Sequence, residues 1–205
     1  GWFGVSRMTL RHALAELARR GLVTKTVGRH GGTVVAAAKL EQDLTTQAGF
    51  SEQLRRHGMV AGARVLSARE RPAGPAAAAA LRLGAGDPVY EVRRVRLGDG
   101  RPIALERSLF PAARFPGMLE FRLDGSLYEL LEVRYGLRPH RARESLEPVT
   151  AGVREAETLD VPEGAPLMQV ERTAYARSGE PLEFARDLFR GDRTRVVVWT
   201  SDLVS

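Results

Sequence analysis

Apolar positions recur along the chain with two different periods, and the switches between them mark out its elements. Over residues 4–20, Leu10, Ala13, Leu14 and Leu17 fall on one helical face, with Ser6 placed as N-cap and Gly21 as C-terminal stop. Residues 22–27 and 33–36 read as two short strands around a glycine-rich tip at 28–32. A polar stretch over 38–47, without firm periodicity, reads as a linker. Beyond it the pattern predicts a short helix over 50–58 with Ser51 as its cap and Gly58 as its stop, and a strand over 64–71. An alanine-rich helix over 75–83 follows. Further on come a helix over 124–135 with Leu127, Leu130 and Leu131 inward, a strand over 142–149 and a last strand over 194–200.

The most regular alternation runs over residues 89–110, VYEVRRVRLGDGRPIALERSLF, two strands joined by a turn at Gly98-Asp99-Gly100-Arg101-Pro102. If Leu97 lies opposite Ile103, then Arg94 faces Glu106 and Arg96 faces Ala104. Side chains alternate between faces, so Tyr90, Val92, Arg94, Arg96, Ala104, Glu106 and Ser108 share one face. Val95, Leu97, Ile103 and Leu105 share the other, which reads as core. Two arginines beside a carboxylate suit a small anionic, hydroxyl-bearing ligand, and equally a cross-strand ion pair on a solvated face.

This hairpin has a second copy. Residues 81–94 align with 159–172, from Leu81-Arg82-Leu83-Gly84 against Leu159-Asp160-Val161-Pro162 to Val92-Arg93-Arg94 against Val170-Glu171-Arg172. The second hairpin turns at Arg177-Ser178-Gly179-Glu180-Pro181 and returns as LEFARDLF. Two units of helix, tight turn and hairpin predict one antiparallel sheet with helices packed on it, an α+β arrangement. Ala174 stands where the repeat would place a second arginine, and Arg172 is read as structural.

Composition narrows the chemistry. There is no cysteine, and the four histidines, His12, His30, His57 and His140, show no metal-ligand spacing. No nucleophile elbow or phosphate-binding glycine loop is complete. A binding protein without a cofactor is expected rather than an enzyme. No apolar run reaches the length of a membrane span and no signal peptide is evident, so a cytoplasmic protein is expected. Net charge is +6, and every basic residue except Lys25 and Lys39 is arginine. A basic chain invites a polyanionic partner.

FGVSRMTLRHALAELARRGLV followed by a wing ending in GGTVV resembles the winged helix-turn-helix of the GntR superfamily of bacterial transcription regulators. That resemblance implies that Ser6, Arg7, Thr9 and Arg11 face operator DNA, with Arg29, His30 and Gly32 at the wing. It also implies that a first helix and most of a second precede Gly1, so that 1–37 is a partial winged-helix domain. The rest, 48–205 after the 38–47 linker, resembles the UTRA effector-binding domain of the HutC subfamily, whose fold is similar to that of chorismate lyase. Relatives that control amino-sugar uptake hold sugar phosphates on the sheet. Carried over, Ser51, Arg94, Arg96, Ser126 and Tyr128 would gather round the phosphate, and Glu106 and Glu183 would accept from hydroxyls or an amide. Phe189 stands where relatives often carry tyrosine. The resemblance implies a homodimeric repressor controlled by a small anionic effector. The alternatives are a lyase-like enzyme, or an effector-binding module that has lost DNA binding by truncation.

Overall fold

The computed structural model describes residues 4–19, 23–25, 32–35, 39–43 and 49–199. The chain divides into two compact units, Gly1–Lys39 and Leu40–Ser205. In the first, helix α1 (Arg7–Arg19) is followed by strands β1 (Val23–Lys25) and β2 (Thr33–Val35), which pair antiparallel with Val23 opposite Val35. Ser6 caps the helix as its sequence implies, its Oγ accepting from the Thr9 amide at 3.1 Å. The apolar stripe is only partly covered: Leu14 and Leu17 are half-buried and Leu10 is 45 % exposed. Two three-residue strands offer little area to bury it. The expected stop at Gly21 and wing residues Arg29 and His30 lie outside the described residues.

The second unit runs β3 (Leu40–Asp43), α2 (Phe50–Arg56), β4 (Ala61–Pro72), α3 (Pro75–Leu81), β5 (Pro88–Gly98) and β6 (Arg101–Pro111). After two short 3-10 turns come α4 (Leu127–Tyr135), β7 (Arg141–Thr150), α5 (Val153–Leu159), β8 (Pro166–Tyr175), β9 (Pro181–Arg190) and β10 (Thr194–Val197). Six strands form one antiparallel sheet in the order β4-β5-β6-β9-β8-β7. The fold is α+β.

That order is the sequence repeat made visible, and the repeat reaches further than the sequence indicates. α2-β4-α3-β5-β6 and α4-β7-α5-β8-β9 are the same series of elements, and the halves join where β6 pairs with β9, Glu106 opposite Asp187. Even the helix ends match: Arg82 after α3 and Asp160 after α5 both take the left-handed conformation, at φ 56° and 55°.

In the first hairpin, Asp99 and Gly100 both have positive φ, 51° and 74°, as a two-residue turn matched to strand twist requires. Arg94 lies opposite Glu106 and Arg96 opposite Ala104, in the expected register. Leu97 lies opposite Pro102 rather than Ile103, because an irregularity after Arg96 shifts the ladder by one residue. On one face of the sheet Val89, Leu109 and Phe184 pack under α3, and Val95, Leu105 and Leu167 pack under α5. On the other face Val92, Phe110, Phe115 and Met118 pack against Leu127 and Leu131 of α4.

Three local expectations are corrected. Ser51 is not the cap of α2: Gly49 holds that position, and Ser51 lies inside the first turn. Part of the expected linker, Leu40–Asp43, is strand β3, which pairs in parallel with β10 from Leu40 opposite Thr194 to Asp43 opposite Val197. Leu40 is 2 % exposed and packs on Leu54 and Ile103, so burial draws this segment into the second unit. The last strand ends at Val197, and Thr200 lies outside the described residues.

Candidate functional site

Four strands of the sheet and the starts of two helices enclose a cleft. The alternating face of β5 brings Arg94 and Arg96, that of β6 Ala104, Glu106 and Ser108, and that of β9 Glu183, Asp187 and Phe189. β8 adds Arg172. α2 adds Phe50 and Ser51, and Ser126, Leu127 and Tyr128 come from the start of α4. The space between them is about 490 Å³, the solvent at its mouth included. Ser51, Arg94, Arg96, Glu106, Ser126, Tyr128, Glu183 and Phe189, singled out in the sequence, all line this one cleft. Gly49 is small for a reason: a Cβ there would stand 3.2 Å from Cδ2 of Tyr128, so glycine lets α2 approach α4.

The two arginines of β5 are not equivalent. Arg94 is 1 % exposed and each of its three guanidinium nitrogens is engaged. Its Nε and Nη2 donate to Oε1 of Glu106 at 3.0 and 2.5 Å, while Nη1 donates to the carbonyls of Leu123 and Gly125 at 2.7 and 2.8 Å. It is therefore a clamp between sheet and α4 entry rather than a group presented to a ligand. Arg96 donates from Nη1 to Oε2 of Glu106 at 3.0 Å and from Nη2 to Oγ of Ser51 at 2.6 Å. Its Nε is buried with no partner. The guanidinium lies 5.2 Å from the Phe50 ring centroid, and that ring packs on Phe189 at 5.5 Å.

The electrostatics follow from this geometry. Burial pushes the Glu106 carboxyl up, but Arg94 and Arg96 outweigh it and hold the group at about 2. Glu183 is raised by burial, although Arg172 and the Tyr128 hydroxyl, which donates to its Oε2 at 2.5 Å, pull the other way. Asp187 is pushed well up by burial and then by its neighbours Glu106 and Glu183. Arg172 donates to Glu144 and to the Tyr128 hydroxyl. Ser126 caps α4, its Oγ accepting from the Glu129 amide at 3.3 Å.

The comparisons with known proteins agree with this architecture. The UTRA domain model matches residues 56–195. The HTH-type transcriptional repressor NagR of Bacillus subtilis is 36 % identical over 192 residues, 93 % of this chain and 78 % of that protein. The HTH-type transcriptional repressor PhnF of Mycolicibacterium smegmatis is 33 % identical over 193 residues, 93 % of this chain and 77 % of its own. The crystal structure of PhnF from Mycobacterium smegmatis superposes with a TM-score of 0.77 at 31 % identity, covering 98 % of this chain and 87 % of that one. The chain belongs to the UTRA family of GntR-type transcription regulators.

Two charged residues of this UTRA domain escaped the sequence reading. Arg172, read as structural from its place in the repeat, lines the cleft, and so does Asp187. Asp187 enters because β9 pairs with β6, a pairing that joins the two repeats and leaves no local mark in the sequence. In the smaller unit, Arg7, Thr9 and Arg11 are exposed along the start of α1, and the Thr9 hydroxyl is 2.8 Å from that of Ser6. Gly32 is exposed.

Proposed function

We propose that the protein is a homodimeric, cytoplasmic transcriptional repressor whose hold on operator DNA is set by a small anionic effector, such as a sugar phosphate, in the UTRA cleft. The observation that carries this reading is the buried, unpartnered Nε of Arg96: a guanidinium held on a rigid strand with its Nε donor open suits an anionic acceptor. Ser51 and Ser126 offer neutral hydroxyls beside it, and Tyr128 and Glu183 meet hydroxyl groups of the ligand. Arg94 keeps α4 in place. The repressor names of NagR and PhnF support regulation rather than catalysis. In the smaller unit Ser6, Arg7, Thr9 and Arg11 meet DNA from α1, with Arg29, His30 and Gly32 on the wing. Residues 1–39 then belong to the DNA-binding head and 40–205 to the sensor.

Effector and DNA need share only a modest coupling, about 1–3 kcal/mol, to change operator occupancy several-fold or more. Fluorescence anisotropy of a labelled operator duplex, titrated with the chain in the presence and absence of each anion that binds it, tests the reading. A change in DNA affinity of at least about fivefold is expected. Anions that bind the chain yet leave its DNA affinity unchanged would contradict it.

A further inference from the structure

Two residues that line the cleft each hold a buried polar atom without a hydrogen-bond partner, and they carry opposite charge: Nε of Arg96 and Oδ1 of Asp187. Arg96 is 4 % exposed and Asp187 7 %. Unpaired buried polar atoms are rare in folded proteins and costly when charged, so each demands an occupant. Nε requires an acceptor and the Asp187 carboxylate a donor. Arg96 shares its row of the sheet with Ala104 and Phe189, and Asp187 shares the next with Arg94 and Glu106. Neighbouring same-face rows lie about 6–7 Å apart along the strand, which a small molecule spans.

The charge of the cleft is uneven in the same sense. Arg94 and Arg96 answer Glu106, leaving one positive charge over at that end. Glu183 and Asp187 both feel Arg172, which Glu144 already engages. Three arginines and three carboxylates line the cleft, so an anionic group has only Arg96's open Nε to meet while the carboxylates remain to be answered. The groups facing Asp187 are Glu106 and the Arg107 amide on β6, Glu183 on its own strand, Arg172 on β8 and Arg96 on β5.

We propose that the effector is a small zwitterion: its anionic group accepts from Nε of Arg96, and a protonated amine on the same scaffold donates to Oδ1 of Asp187. This rests on the reading of the cleft as an anion site and specifies what else the ligand carries. Burial, with Glu106 and Glu183 nearby, favours the protonated Asp187 carboxyl in the empty cleft. The incoming ammonium displaces that proton to solvent, so binding of the amine is accompanied by proton release.

Calorimetric titration of the full chain with matched pairs tests this. Suitable pairs are phosphoethanolamine against ethyl phosphate, aminomethylphosphonate against methylphosphonate, and a hexosamine phosphate against the parent hexose phosphate. Each is run at neutral pH in two buffers of different ionisation heat. In at least one pair the amine-bearing member is expected to bind about tenfold tighter or better, and its heat to vary with the buffer as proton release requires. Asp187→Asn should reduce that preference to about twofold or less, while Arg96→Ala weakens both members. If amine-free members bind as tightly in every pair, or the Asn variant keeps the preference, the zwitterion is overturned and the anion site stands. If no member of any pair binds the wild type, the anion site itself falls and this inference with it. Should the Asn variant not fold, the wild-type comparison and its proton release decide the matter alone.

Discussion

Arg94 and Glu106 stand opposite each other on neighbouring strands and form a buried ion pair, and the same guanidinium holds the carbonyls of Leu123 and Gly125. One side chain thus ties the sheet to the entry of α4. Arg94→Ala is expected to destabilise the fold by about 3 kcal/mol, the lower end for breaking a buried pair, because Arg96 still answers Glu106. Arg96→Ala gives up fewer bonds and should cost clearly less. Urea unfolding of the two variants checks the order, and equal losses would mean that Arg94 is no clamp.

The raised Asp187 carboxyl gives a pH signature. The folded state binds its proton more tightly than the unfolded chain does. Its contribution is therefore fully present below the unfolded value, about 3.9, and fades as pH climbs through the folded one. Asp187→Asn removes that loss. The variant should melt above wild type at pH 8, and the advantage should vanish near pH 4 in a thermal scan across pH. Glu106 behaves in the opposite way. Held at about 2 in the folded state, it stabilises above the ordinary glutamate range and loses that contribution as pH falls toward 2.

Where the sensor begins is also testable. β3 buries Leu40 and donates its amide to the Arg193 carbonyl at 2.7 Å. A fragment of residues 40–205 should therefore be more stable than one of 48–205, which loses a buried leucine worth about 1.5–3 kcal/mol and leaves β10 unpaired. For a domain this size that corresponds to a melting point several degrees higher, at about 2–4 °C per kcal/mol. Identical melting points would return Leu40–Asp43 to the linker.

Much of this was legible in the sequence, and the part that was not has a common cause. The hairpin register and the duplication follow from local alternation and a visible repeat, whereas the gathering of Arg96, Ser126 and Glu183 was implied by the family resemblance. Strand β3 was missed because its partner β10 lies some 150 residues away and four residues carry too little periodicity to show a strand. Asp187 was missed because its role depends on β6 meeting β9 across the repeat boundary. The shift at Leu97 depends on a backbone irregularity that hydrophobic pattern does not encode. Arg94 and Arg96 look alike in sequence. Only the loop carbonyls that engage one and not the other separate them.

The exposed arginines at the start of α1 carry the DNA-facing prediction. Arg7→Ala should weaken binding to a duplex selected with the full chain. If Arg7 touches phosphate, the loss is nearly independent of sequence and the salt slope falls by about one; if it reads a base, specificity relaxes at one position. Affinity measured across a salt series distinguishes these outcomes. An unchanged affinity would remove Arg7 from the interface.

The central claim is that Arg96 receives an anion in the UTRA cleft. Calorimetric titration of wild type and Arg96→Ala with the phosphates and phosphonates that raise the wild-type melting temperature tests it most directly. The account predicts saturable binding to wild type, weakened in the variant by about 1.5–3 kcal/mol, the range for a hydrogen bond to a charged group. Equal affinity of both proteins for every such anion would contradict it.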